Sequence, residues 1–304
     1  MAELTFPEAA ASSPSLRMRC EVCGSPGRPW LERRGRRLVR CSACAFAWVP
    51  EGVLRASDGR SIYENEERDL FGSYADYYWD VSATDAARAK LDWVAGFTPP
   101  GGHLLDIGAN IGIFVREAMA RFDAVGIEPS AAMVRWAKQN LGAAVQVGSV
   151  FDEMPAFVGR FDAVTMFDVI EHLDDPTTAV QQCSRYLLPG GRLFITTPDI
   201  SSLVARLLGR AWYYLDVDQH VSLFSAATLT RLLESNGFTV TDRRRFGRRY
   251  RFSYIERRLE ELGRHSGILR LCHVLALPLR LAPERHVAIN LGDVVGIVAQ
   301  ARTS

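Results

Sequence analysis

The sequence predicts an α/β fold: a mostly parallel sheet with helices on both faces, plus a small zinc ribbon at the N-terminus. Three observations carry that expectation. Short apolar runs alternate with segments of helical periodicity from Gly101 onward. A glycine-rich turn follows the first of those runs. Four cysteines stand in two Cys-x-x-Cys pairs within the first 44 residues.

The apolar runs HLLDI (103–107), AVGIE (124–128), AAVQV (143–147), FDAVTMF (161–167) and GRLFITT (191–197) read as strands. Ile113 to Arg121, Ser130 to Leu141 and Thr177 to Leu188 read as helices. Strands alternating with helices imply parallel pairing through right-handed crossovers. GFTVTDRRRF (237–246) and VVGIVAQA (294–301) are expected to close the sheet. The chain then divides into a disordered tail (1–16), the ribbon (17–50) and the sheet domain (51–304). The last carries a basic, then apolar, helical insertion at about 247–285.

Of 304 residues, 48% are hydrophobic, 23% charged and 10% aromatic, which excludes a disordered, collagen-like or disulfide-scaffold chain. A net charge of +1 gives no strong nucleic-acid signal. The N-terminal tail lacks a basic start followed by an apolar run, so it does not read as a signal peptide. The apolar stretch Gly267 to Ala282 carries Arg270, His273, Pro278 and Arg280, and is too short and too polar to span a membrane. A cytoplasmic location is expected, and there clustered thiols favour metal over disulfides.

Cys20-x-x-Cys23 and Cys41-x-x-Cys44 are 17 residues apart, the spacing of a zinc site. Each pair brings two thiolates to one ion, and two pairs complete a tetrahedron. Four sulfurs leave no open position, so the zinc is expected to be structural. Arg28, Arg33, Arg34, Arg36, Arg37 and Arg40 surround the cysteines. They read either as a grip for nucleic acid or a phosphorylated group, or more plainly as a solvated hairpin.

The strand HLLDI runs into Gly108-Ala-Asn-Ile-Gly112, where glycine lets the backbone approach a ligand. Glu128 ends the next strand, 20 residues after Gly108, the reach of a carboxylate to ribose hydroxyls. A pyrophosphate fingerprint would need glycine at 110 and 113, which are Asn110 and Ile113, and no P-loop is present.

DIGANIG, then GIEPS, then FDAVTMFDVIEHLDDP, then LLPGGRLFITTP stand in order along residues 75–245. Together they resemble the class I S-adenosylmethionine (SAM)-dependent methyltransferases. The resemblance implies a Rossmann-like, seven-stranded sheet and SAM as cofactor. It implies that Asp106 and the turn Gly108, Asn110, Gly112 hold the methionine part. Glu128, followed by Pro129, would accept both ribose hydroxyls. Ser149 stands where relatives often carry an acid toward adenine, with Val150 beside it. Phe167 and Asp168 would close the site at the end of the fourth strand. Tyr74, Tyr77, Tyr78 and Trp79 read either as a cap over cofactor or acceptor or as ordinary helix packing.

Methyl transfer to an alcohol needs a base, and the candidates are His172 and His220, each alternatively a structural histidine. His220 lies in an aromatic-rich His-x-x-x-Phe-Ser pattern that is similar to relatives acting on small molecules and glycans. The expected acceptor is therefore a small molecule, sugar, glycan or lipid-linked group, taken most simply as O-methylation. A zinc knuckle joined to this pattern also resembles methyltransferases of nucleotide-linked deoxysugars, although only about 60 residues follow the sixth strand here. Two further readings stay open: an RNA or protein methyltransferase gripping a polymer, and a non-catalytic SAM-binding module. A second arginine cluster, Arg243 to Arg251 with Arg257 and Arg258, suits either a diphosphate or membrane-surface contact, or a solvated strand end.

Overall fold

The computed structural model describes residues 18–52, 81–251 and 286–302, with Glu260 and Val274 as isolated helical positions. The tail 1–16, Tyr74, Tyr77, Tyr78, Trp79, Cys272 and most of the stretch 267–282 lie outside the described residues.

Three short strands open the chain: β1 (Gly27–Arg33), β2 (Arg36–Cys41) and β3 (Ala47–Trp48). Then come α1 (Val81–Ala95), β4 (His103–Ile107), α2 (Ile113–Ala118), β5 (Asp123–Glu128), α3 (Ala131–Trp136) and β6 (Val145–Val147). β7 (Phe161–Phe167), α4 (Pro176–Tyr186), β8 (Leu187–Pro198) and α5 (Leu203–Leu208) follow. β9 (Ser222–Leu223), α6 (Ala226–Ser235), β10 (Phe238–Arg251) and β11 (His286–Ala301) complete the described elements.

The main sheet has seven strands in the order β10-β11-β8-β7-β4-β5-β6. Strands β4 to β8 pair in parallel, and β11 runs antiparallel to both β8 and β10. The strand order reverses at β4, between β5 and β7. Crossovers leave that switch point on opposite faces and open a crevice at the carboxyl ends of the strands. The sheet is buried on both faces, as a parallel sheet must be. Leu104, Ala163, Phe194 and Val298 meet Leu91, Trp93 and Val94 of α1 on one side. Leu105, Val164, Ile195 and Ile297 pack on the other, facing Ala179, Val180 and Cys183 of α4. Consecutive residues such as Phe194 and Ile195 alternate between the two layers, the period of two that an extended strand imposes.

Helix starts follow local chemistry. The Asp175 side chain accepts the Thr178 N–H at 2.9 Å, ahead of Pro176. Ser225 and Thr228 form a reciprocal capping box for α6.

The last two strands are longer than their apolar patterns. β10 runs on through Arg251 and β11 begins at His286, so residues 247–251 belong to a strand and not to the insertion. The second arginine cluster therefore lies largely on β10, which among the described residues is an edge strand, where charge is tolerated. β1, β2 and β3 form an antiparallel sheet whose fourth member is β9, from the far end of the sequence.

Candidate active site

The turn after β4 alternates into left-handed backbone at Gly108 (φ +71), Asn110 (φ 50) and Gly112 (φ +77). Gly108 has no room for a side chain, since a Cβ would lie 2.6 Å from Val169 Cγ2. A Cβ on Gly112 would come within 2.9 Å of Ala143. Asn110 holds its unusual conformation with its own side chain, whose Oδ1 accepts the Ile111 N–H at 2.7 Å.

Glu128 closes the same turn. Its carboxylate accepts the Asn110 N–H at 3.0 Å and the Ser130 N–H at 2.9 Å. A carboxylate has about four acceptor positions, so it retains lone pairs for a further donor. Burial raises the Glu128 carboxyl, and those two N–H groups oppose the rise. Asp106, one residue before the end of β4, is buried and accepts the Thr165 hydroxyl at 2.6 Å. Burial pushes Asp106 up to about 7 against the pull of that hydroxyl and the Lys90 ammonium. Pro129 is exposed beyond Glu128.

After β6, the Ser149 N–H donates to Asp152 Oδ2 at 2.8 Å, and Val150 is buried. A carboxylate thus stands against the turn where Ser149 itself lacks one, three residues further along than the expected acid.

Phe167 ends β7, and Asp168 follows it. Asp168 sits in left-handed backbone (φ 58) and accepts the Lys90 ammonium at 2.9 Å and the Thr196 hydroxyl at 3.1 Å. Lys90, on α1, lies 4.8 Å above the Phe167 ring. Phe114 meets that ring edge-on at 4.9 Å. A lysine on a helical surface carries no sequence signal of this role; it becomes visible once Trp93 docks α1 on the sheet.

His172 and His220 come together from separate loops, with ring centroids 4.8 Å apart. His172 Nδ1 is 3.0 Å from the Gln219 carbonyl, and His220 Nδ1 is 2.7 Å from the Tyr214 carbonyl. Each Nδ1–H donating to a carbonyl directs the Nε2 lone pair the other way. Burial lowers both imidazoles, and His220 is lowered further by His172 beside it. Glu171 is buried among them and accepts the Thr197 hydroxyl at 2.9 Å. Burial pushes Glu171 up to about 7, with Asp168 adding to the rise. Donor atoms of Glu171, His172 and His220 all lie within 4.8 Å of one another. Glu171 stands in the Glu-His-Leu loop of the sequence, but its unusual proton affinity comes from burial and the nearby Asp168, which only the fold supplies.

The four ribbon cysteines also converge, with all sulfurs within 4.8 Å of one another. Cys20 and Cys44 sulfurs are 3.5 Å apart, and those of Cys23 and Cys41 are 3.4 Å apart. Tetrahedral zinc with bonds of about 2.3 Å needs sulfurs about 3.8 Å apart, which suits this cluster and not disulfides. The Ala43 and Cys44 N–H groups both point at Cys41 Sγ at 3.4 Å, support that a thiolate ligand needs.

Five of the six ribbon arginines, Arg33, Arg34, Arg36, Arg37 and Arg40, are engaged within the chain. Arg34 pairs with Asp216 at 3.1 Å and Asp218 at 2.9 Å. Arg33 donates to the Arg210 carbonyl, and Arg36 to the Val217 and Gly52 carbonyls. Arg37 lies 3.7 Å from Glu51, and Arg40 stacks over Trp30. On β10, Arg245 pairs with buried Asp199 and Arg244 lies over Trp93.

Known proteins share this architecture. The methyltransferase-domain family matches residues 79–243. The ubiquinone biosynthesis O-methyltransferase of Xanthomonas axonopodis pv. citri is 33% identical over 150 residues, 45% of this chain and 62% of that protein. The protein of the same name from Cupriavidus pinatubonensis is 33% identical over 164 residues, 49% of this chain and 66% of its own. The chain thus spans less than two thirds of these relatives. Among solved structures, a SAM-dependent methyltransferase from Thermotoga maritima superposes with a TM-score of 0.51 at 20% identity, covering 78% of this chain and 98% of that one. One from Archaeoglobus fulgidus gives 0.52 at 17% identity, covering 75% and 99%. At those identities the likeness is one of fold. With the family match spanning more than half its length, the chain belongs to the SAM-dependent class I methyltransferases.

Proposed function

We propose that this enzyme methylates a hydroxyl group of a small molecule, with His220 as base and His172 beside it. The observation that carries the reading is the pair of adjacent imidazoles, each fixed through Nδ1 on a backbone carbonyl. When bound, SAM supplies an activated methyl group on a sulfonium, and its transfer leaves S-adenosylhomocysteine.

In this reading Glu128 accepts the ribose hydroxyls, while Asp106 and the turn Gly108, Asn110, Gly112 receive the methionine part. Ser149, Val150 and the nearby Asp152 carboxylate meet the adenine. Phe167 and Asp168, braced by Lys90, close the methyl-transfer end. The hydroxyl proton passes to an imidazole Nε2 as the oxygen gains the methyl group. Most of the rate comes from alignment of the two substrates, and the base adds about 10²–10⁴-fold. The relatives' shared name supports O-methylation of a small molecule. A sugar, glycan or lipid-linked hydroxyl fits the same chemistry, and contact with a membrane surface belongs to that branch. Arginines engaged inside the chain weigh against a polymer grip. Reduced thiols in the ribbon, holding structural zinc, suit a cytoplasmic setting.

The test is S-adenosylhomocysteine release over a panel of phenols, catechols, sugar nucleotides, lipid-linked sugars, RNA and peptides. Turnover confined to hydroxyl acceptors is expected. His220→Ala should lower kcat by about 10²-fold or more while SAM binding holds. Amine or RNA methylation, or full turnover by His220→Ala, would overturn the reading.

A further inference from the structure

We propose that the N-terminal ribbon positions the His220 loop, with Arg33, Arg34 and Arg36 as its clamp. This rests on the reading of His220 as an acceptor-side residue. Residues 209–221 carry His220 between α5 and β9. Inside that segment the bonds are those of short turns, such as Leu215 N–H to Trp212 O at 3.0 Å and Gln219 N–H to Asp216 O at 3.1 Å. Short turns of this kind do not by themselves fix a loop in space.

The ribbon holds the segment in three independent ways. First, three arginines at one hairpin tip all reach it. Arg33 donates to the Arg210 carbonyl, Arg34 bridges Asp216 and Asp218, and Arg36 donates to the Val217 carbonyl. Second, β3 pairs with β9 through Ala47 with Leu223 and Trp48 with Ser222, and Val49 N–H adds a bond to the Val221 carbonyl at 2.9 Å. Third, Leu38, Ala47 and Val49 share one apolar cluster with Trp212, Tyr214 and Val217.

The hairpin turn itself points to selection for this contact. Both loop residues, Arg34 (φ 49) and Gly35 (φ 73), are left-handed. Such two-residue turns favour Asn-Gly or Asp-Gly, and a long side chain there is strained. The strained residue is the one that spans Asp216 and Asp218, four and two positions from His220. Tyr214, whose carbonyl meets His220 Nδ1, lies inside the clamped stretch. A cysteine cluster with no position open for chemistry is in this way tied to the acceptor half of the site.

The experiment uses the full chain as wild type, Arg34→Ala, Arg34→Lys and Arg36→Ala. Three quantities are read: hydrogen exchange of residues 209–221, S-adenosylhomocysteine affinity, and the split between kcat and SAM KM on any acceptor turned over. Both alanine variants should raise exchange in 209–221 by about tenfold or more, with S-adenosylhomocysteine affinity within about twofold. kcat should fall while SAM KM holds, and Arg34→Lys should keep most of the protection. Unchanged exchange at 209–221 in folded alanine variants overturns the proposal, as does equal loss in Arg34→Lys and Arg34→Ala. Should Arg36→Ala not fold, exposed Arg34 decides alone. Should no hydroxyl acceptor turn over, the Proposed function fails, while exchange and cofactor affinity still decide the clamp.

Discussion

Glu128 is the residue on which the proposed cofactor half turns. Its carboxylate ties Asn110 and Ser130 together and offers further acceptor positions. Glu128→Ala leaves two backbone N–H groups without that partner, at a cost of about 1–3 kcal/mol each where buried. Titration calorimetry with S-adenosylhomocysteine should show an affinity loss of tenfold or more (~1.4 kcal/mol); wild-type affinity would remove Glu128 from the site. Glu171 offers a pH test. Its carboxyl is raised to about 7 in the fold. Between the ordinary value near 4.3 and about 7 the folded state holds the proton more tightly than the unfolded chain, so this group's contribution to stability falls as pH rises. Glu171→Gln keeps an acceptor for Thr197 and cannot ionise. Its melting temperature relative to wild type should climb from pH 4.5 to pH 8, by about 2 °C per kcal/mol gained. A flat difference would show that burial does not perturb Glu171.

Among the described elements, the ribbon is the one expected to draw stability from a metal ion. Few apolar residues lie between Cys20 and Cys44, and a unit of that size seldom folds on packing alone. Metal analysis of the purified chain is expected to find one zinc per molecule. Cys41→Ser should lose most of it, because Cys41 receives the N–H support of Ala43 and Cys44. One full equivalent of zinc in that variant would count against the four-sulfur site. α1 and the turn after β4 behave differently. Both are held by burial against the sheet, through Trp93 and through the close approach of Ala143 to Gly112.

At the scale of the molecule, ribbon and sheet share a core. Cys20, Val22, Phe46 and Trp48 belong to the same apolar cluster as Leu105, Val164 and Ile195. Trp48 is 1% exposed and stacks on Phe46, which in turn meets Phe224. Calorimetry should therefore show one unfolding transition, and Trp48→Ala should lower its stability by about 3–5 kcal/mol. A separate ribbon transition, unmoved by sheet mutations, would contradict this picture.

Local chemistry explains what could be read in advance. The parallel strands were legible because burial on both faces leaves continuous apolar runs, and FDAVTMF is such a run. The Cys-x-x-Cys pairs and the turn Gly108 to Gly112 were legible because a metal knuckle and left-handed backbone demand particular residues at fixed spacing. Charged stretches gave no such signal: the arginines of β10 hide a strand because an edge tolerates charge. What the sequence determined by itself was the sheet, the glycine turn after β4 and the sulfur cluster, each a matter of near neighbours. Only tertiary structure decided that Lys90 meets Asp168, that His172 and His220 meet edge to face, and that the ribbon takes β9 as its fourth strand. Those contacts join residues 48 to 176 positions apart, where burial and packing, not local spacing, choose the partners.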